Sequence, residues 1–165
     1  MATPSSPDTS VTDKAHAEYR VLARKYRPQN FSELKGQDAL VRTLTNAITS
    51  GRIAHAFMLT GVRGIGKTTT ARLIARALNY SSPGHDAPSM DLSIRGLHCD
   101  AITQGRHPDV LELDAASRSG VDNMRELLDN VRYGPTQSRY KVYIIDEVHM
   151  LSTAAFNALL KTLEE

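Results

Sequence analysis

Cysteine is almost missing from this chain: one residue, Cys99, stands among 165. No disulfide can close within the sequence, and a solitary thiol fits a reducing compartment such as the cytoplasm. Long apolar runs are absent too, which excludes an ordinary membrane-spanning helix of about 18 residues or more. The opening Met1-Ala2-Thr3-Pro4-Ser5-Ser6-Pro7 lacks the charged stretch and apolar core of a secretory leader. No internal repeat is visible, and no strong charge of one sign either, the formal net charge being +2. What remains is 41% hydrophobic and 23% charged, an ordinary globular composition long enough for one domain with its own core.

The charge is small but uneven. Residues 14 to 76 hold twelve Lys/Arg against three Asp/Glu, and the balance reverses afterwards. A basic first half suits a phosphate-bearing ligand, and bound nucleotide accounts for part of the excess without any nucleic acid.

Two motifs give that ligand a place. Gly61-Val62-Arg63-Gly64-Ile65-Gly66-Lys67-Thr68 has the G-x-x-x-x-G-K-[ST] spacing of a phosphate-binding loop. It follows a short apolar segment, Ala56 to Thr60, read as a strand, and precedes a helix expected over Thr68 to Leu78. Glycines at 61, 64 and 66 let backbone N–H groups converge on phosphates at a helix N-terminus. Lys67 is expected to reach the β- and γ-phosphates, with Thr69 in the same first helical turn and the Thr68 hydroxyl on magnesium. Downstream, Val142-Tyr143-Ile144-Ile145 is an apolar strand ending in Asp146 and Glu147. Asp146 suits the metal and Glu147 the polarisation of an attacking water. The competing explanations are a glycine-rich turn with an incidental lysine and a solvated strand end.

Residues 1–17 are small and polar and are excluded from the fold as a tail; the domain is placed over 18–165. Asp38 to Ser50 is an amphipathic helix, with Leu40, Val41, Leu44, Ala47 and Ile48 on one face and Gly51 as its stop. Tyr80 to Gly96, rich in Ser, Pro, Gly and Asp, reads as a loop or mobile insertion. Val110 to Leu113 is a second strand, Val121 to Tyr133 a long helix, Lys141 to Ile145 a third strand, and Ser152 caps a last helix. Alternating strands and helices predict an α/β fold, a parallel sheet flanked by helices.

Arg24-Lys25-Tyr26-Arg27-Pro28-x-x-Phe31, Gly36-Gln37, the loop, Asp114-Ala115-Ala116-Ser117 and Asp146-Glu147-Val148-His149-Met150-Leu151-Ser152, with Phe156 to Glu165, closely resemble the gamma/tau subunits of bacterial DNA polymerase III. These belong among the AAA+ clamp-loader ATPases, and the likeness runs from about Tyr19 to the last residue. It implies a P-loop NTPase of AAA+ type, binding ATP and Mg2+, that opens a sliding clamp and closes it on primed DNA together with other clamp-loader subunits in the cytoplasm. It implies further that Tyr19, Leu22, Arg27 and Pro28 pack against adenine and ribose, with Gln37 near the base. A basic segment that merely covers the sheet is the alternative. In the family a four-cysteine zinc module often stands between the loop helix and the second strand. Only Cys99 matches it here, with Tyr80, Ser93 and Gly96 near the other places, so the stretch 80–99 is expected to be a degenerate module without zinc, and Cys99 a small buried hydrophobe. His98, Cys99 and His107 make a poor substitute site.

Arg118, Arg125 and Arg132 lie seven apart, so Arg125 and Arg132 share a helix face and Arg118 the adjoining N-terminal turn. The stripe is a candidate for DNA phosphates, although Asp122 and Asp129 would equally make it a self-paired, solvated face. The resemblance puts the sensor strand, the helical lid and the Ser-Arg-Cys element that serves a neighbouring subunit beyond Glu165. Residues 1–165 alone are therefore expected to be inactive and prone to aggregate. Two other readings remain open: another AAA+ DNA motor, such as a branch-migration helicase or initiator loader, and a nucleotide-binding scaffold that does not hydrolyse.

Overall fold

The computed structural model describes residues 26–117, 128, 130, 131 and 133–164. Tyr19, Leu22, the tail 1–17, Arg118, Arg125, Arg132 and most of the helix expected from Val121 lie outside the described residues.

Helix α1 (Asp38–Ser50) has the bounds its periodicity predicts, and Leu44 is buried with Leu40, Val41 and Ile48 packed around it. It stops at Gly51, which takes the left-handed conformation (φ 68°). Gly51 N–H reaches Ile48 O and Arg52 N–H reaches Ala47 O, a pair of bonds that satisfies carbonyls the helix end would leave orphaned.

Helix α2 (Lys67–Leu78) organises the molecule because it is apolar on two sides. Leu73, Ile74, Ala77 and Leu78 join Phe31, Leu44, Tyr80 and Leu92 in the largest core cluster. On the other side Ala71 and Ala75, small enough for close approach, meet Val110 and Ile144 of the sheet and Ile102 of the short helix α3 (Cys99–Thr103).

Among the described residues the sheet is one parallel pair, β1 (Val110–Asp114) beside β2 (Val142–Asp146), in a register that sets Val110 opposite Val142 and Asp114 opposite Asp146. Side chains alternate across a strand. Even-numbered Val110, Val142 and Ile144 accordingly face α2, while odd-numbered Leu113 and Tyr143 pack with Ala155 of α4 (Thr153–Glu164) on the opposite face. The same parity turns Glu112 and Asp146 toward α2. Ser152 Oγ accepts from Ala155 N–H at 3.2 Å and its carbonyl from Phe156 N–H at 2.9 Å, so α4 is capped where the sequence places its cap.

The expected strand Ala56 to Thr60 forms no ladder among the described residues. Phe57 and Leu59 pack on the main core while Met58 between them is 75% exposed. The alternation of a half-buried strand is thus present. A strand exists only by pairing, however, and no described strand runs alongside this one. The expected bounds of three other elements shift by one residue, β1 ending at Asp114, β2 running Val142–Asp146 and α2 starting at Lys67, while the short helix Cys99–Thr103 was not expected.

The stretch 80–98 carries no helix or strand beyond an isolated bridge between Ser82 and His85. It is the expected loop, anchored on the main core by Tyr80 and Leu92, both 5% exposed. Tyr80 Oη donates to Ile94 O at 3.2 Å and Leu97 N–H to Ser81 O at 2.8 Å. A Cβ on Gly96 would stand 2.9 Å from Ser81 O and 3.1 Å from the Tyr80 ring, so only glycine fits against that ring. Cys99 is buried with a free thiol. His107 Nδ1 accepts from Asp109 N–H at 3.1 Å, which leaves its Nε2 to donate to His98 Nδ1 at 2.9 Å. The two imidazoles therefore satisfy each other. No group of three or more His, Cys, Asp or Glu suited to a metal ion occurs among the described residues.

Candidate functional site

Everything that gathers at the N-terminal end of α2 follows from one glycine. Gly66 is the N-cap, in a left-handed conformation (φ 98°), and has no side chain with which to cap. The first-turn N–H groups of a helix lack intrahelical acceptors, so this end of a twelve-residue helix presents bare donors with the positive end of the dipole behind them. The loop before it is tight: Ile65 N–H approaches Val62 O at 3.4 Å, and a Cβ on Gly61 would meet Ile65 Cγ2 at 3.2 Å. Val62 and Ile65 point outward, 74% and 51% exposed, and Arg63 and Gly64 are exposed with them.

Lys67 folds back over this loop and donates from Nζ to Gly61 O at 3.0 Å and Val62 O at 3.1 Å. The next residue reaches the other way. Thr68 Oγ1 donates to Asp146 Oδ2 at 2.7 Å, a contact between residues 78 positions apart in the chain. Asp146 Oδ1 accepts from Glu147 N–H at 3.1 Å. Thr69 is half-buried in the same turn, and Thr70 N–H makes the first helical bond, to Gly66 O, at 2.9 Å.

One helical turn below Thr68, Arg72 forks onto Glu112 of β1 through Nε at 2.8 Å and a second nitrogen at 2.7 Å. Helix α2 is thereby tied to each strand once, to β2 through Thr68 and to β1 through Arg72. The bidentate ion pair fixes the rotation of the helix, and with it the direction of Thr68. Sequence reasoning missed both partners; the signal was a glutamate in the even-numbered register of an apolar strand and an arginine four residues after Thr68.

Glu147 leaves the strand with φ 52° and ψ 41°, the one non-glycine residue of positive φ among those described. For a side chain with a Cβ this conformation costs about 1–2 kcal/mol, a kind of local strain that clusters at functional sites. Its Oε2 lies 3.5 Å from His149 Nδ1, with both side chains substantially exposed. Asp114, in register beside Asp146, spends Oδ1 on Ala116 N–H at 2.8 Å, while Ala115 N–H extends the sheet to Asp146 O.

The other end of the strand pair is closed. Asp109, 1% exposed, accepts from Thr136 N–H and Oγ1 at 2.7 and 2.9 Å, from Gln137 N–H at 2.7 Å, and from Ser138 N–H and Oγ at 2.8 and 3.1 Å. Burial by itself would raise the pKa of this carboxyl; the donated N–H and O–H groups prevail and hold it well below the usual carboxylate range. This residue too went unnoticed in the sequence, where it is one more aspartate before a strand.

Of the residues expected around the base, Arg27 and Pro28 are half-buried and precede Gln29, whose carbonyl accepts from the buried Arg76 at 2.8 Å. They are thus tied to the C-terminal turn of α2, roughly 13 Å along the helix from Lys67. Gln37 is the N-cap residue of α1, and its carbonyl, not its side chain, makes the capping bond. The structure therefore unites Gly61 to Thr69, Asp146 and Glu147 at one end of α2. A groove lined by Phe31, Leu34, Val41 and Met90 shares no residue with this site.

Comparison with known proteins agrees over most of the chain. It is 51% identical over 147 residues to the DNA polymerase III subunit tau of Escherichia coli K12, a match that covers 89% of this chain and 22% of that protein. The subunit gamma of Buchnera aphidicola from Schizaphis graminum is likewise 51% identical, over 39% of its length. The subunit tau of Bacillus subtilis is 47% identical over 25% of its length. The chain spans about a fifth to two fifths of these relatives. The family model described as DNA polymerase III, delta subunit, matches residues 36–165. With more than three quarters of its residues inside that match and relatives at about half identity, the chain belongs to this DNA polymerase III subunit family, on its tau/gamma side.

Proposed function

We propose that this chain is the nucleotide-binding part of an AAA+ clamp-loader ATPase subunit of DNA polymerase III, which acts with other subunits in the cytoplasm to place a sliding clamp on primed DNA. The observation that carries the reading is the 2.7 Å contact of Thr68 Oγ1 with Asp146 Oδ2 beside the uncapped start of α2. A hydroxyl and a carboxylate are the hard oxygen donors that suit magnesium, and bare N–H groups with a lysine are what phosphates require. Magnesium bound there would neutralise charge on the β- and γ-phosphates.

The chain's own residues then have distinct tasks. Backbone N–H groups from Gly61 to Thr69 cradle the phosphates, and Lys67 exchanges the carbonyls of Gly61 and Val62 for phosphate oxygens. Thr68 and Asp146 would hold the metal. Glu147 orients a water against the γ-phosphate, and an arginine supplied in trans would complete the charge stabilisation. The alternating exposure of Phe57, Met58 and Leu59 supports reading Ala56 to Thr60 as a strand that neighbouring strands complete in the whole subunit. DNA contact by Arg118 and Arg125 belongs to the same proposal.

Substitutions in the full-length subunit, assembled with its partners, test it. Lys67→Ala should abolish measurable ATP affinity, while Glu147→Gln should keep affinity and block turnover. Hydrolysis at the wild-type rate by Glu147→Gln would overturn the assignment of that carboxylate.

A further inference from the structure

Three acidic residues stand at the C-terminal end of the strand pair: Asp114 and Asp146 are in register, and Glu147 follows at once. Two of them are accounted for. Asp146 takes Thr68 Oγ1 and Glu147 N–H, and Asp114 takes Ala116 N–H. Lys67 of the loop is turned toward the carbonyls of Gly61 and Val62. Glu147 is left with an exposed carboxylate beside a like charge, an arrangement that by itself would let the side chain swing into solvent.

The backbone brings it a partner. The left-handed turn at Glu147 leads directly into a 3-10 turn, Val148–Met150, closed by Met150 N–H on Glu147 O at 2.8 Å and Leu151 N–H on Val148 O at 3.2 Å. This reversal folds His149 back over the preceding carboxylate, with Nδ1 3.5 Å from Oε2. We propose that His149 is a positioning residue for hydrolysis: its imidazole engages one oxygen of Glu147 and leaves the other aimed at the attacking water. A base steered by a third group is the usual logic of such sites. The inference rests on the role of Glu147 given above. It also gives the strained backbone at Glu147 a purpose, since the left-handed residue feeds the 3-10 turn in which the two side chains come within 3.5 Å.

The test uses the full-length subunit in its assembled complex. Because the pair is exposed, His149→Ala should lower kcat for ATP hydrolysis only about threefold to tenfold, with KM and nucleotide affinity unchanged. His149→Asn, whose amide N–H can take the place of Nδ1–H, should restore most of the loss. Independently of turnover, the imidazole 15N resonances of His149 in nucleotide-free subunit should move on Glu147→Gln. Unchanged kcat in His149→Ala, a parallel loss of nucleotide affinity and thermal stability, no recovery in His149→Asn, or a His149 resonance indifferent to Glu147→Gln would each overturn the proposal. Normal turnover by Glu147→Gln would instead remove the reading of the site itself, so the two failures are distinguishable.

Discussion

The two ends of the β1–β2 pair use carboxylates in opposite ways. At the N-terminal end Asp109 is buried and accepts five hydrogen bonds, three from consecutive backbone N–H groups. At the C-terminal end Asp146 has one hydroxyl and one N–H, and Glu147 has an exposed imidazole at 3.5 Å. A carboxylate with every lone pair engaged can only hold structure. One whose oxygens stay accessible can still take up a metal or a water. The difference lies not in residue type, since both ends present aspartate, but in how many donors the neighbouring segments supply.

The comparison predicts that the two ends break differently. The largest effect belongs to the open end: Glu147→Gln should lower steady-state ATP turnover of the assembled complex about 10²- to 10⁴-fold, with thermal unfolding hardly moved. At the closed end Asp109→Asn should do the reverse, removing about 2–4 kcal/mol of stability because an amide cannot accept from all three N–H groups. Denaturant unfolding beside nucleotide titration of the full-length subunit checks both, and a loss of affinity in Asp109→Asn equal to its loss of stability would dissolve the contrast.

Acid should reach the closed end first. The pKa of His107 is lowered from 6.5, by burial and then by the nearby His98, with Asp109 opposing. A group with a depressed folded pKa contributes stability above its unfolded value, and that contribution falls away as pH drops through the folded one. Stability should thus decline below about pH 6.5 with a slope of up to about 1.4 kcal/mol per pH unit, and His107→Gln should flatten that slope. The contribution of Asp109, by the same sign, begins to fade only below its unfolded value of 3.8. The smallest effect on stability sharpens the comparison from the open end. Glu147→Gly relieves the left-handed strain but adds chain entropy, so it should stabilise by up to about 1 kcal/mol while abolishing turnover.

Much of this was legible in the chain. The α1 bounds, the Gly51 stop, the Ser152 cap and the tight glycine turn that opens α2 are local matters, fixed by side-chain period, backbone freedom and short-range hydrogen bonds. The end of β2 at Asp146 could be read because an apolar run ends in charge. Arg72, Glu112 and Asp109 could not, because each acquires its role from a partner at least 27 positions away. The strand expected at Ala56 to Thr60 shows the same limit from the other side: its alternation is in the sequence, but its ladder depends on what lies beside it.

By itself, then, the sequence determined the helices Asp38–Ser50 and Lys67–Leu78 to within a residue, the start of the last helix after Ser152, and that a loop of the composition Gly61 to Thr68 opens onto a helix. Only the tertiary structure decided that even-numbered β2 residues face α2, so that Asp146 meets Thr68, because a shift of one residue in register would turn that carboxylate toward α4 instead. It alone decided as well that Glu147 turns back toward His149. A backbone can be held at φ 52° only where the sheet before it and the helix after it are both fixed in place.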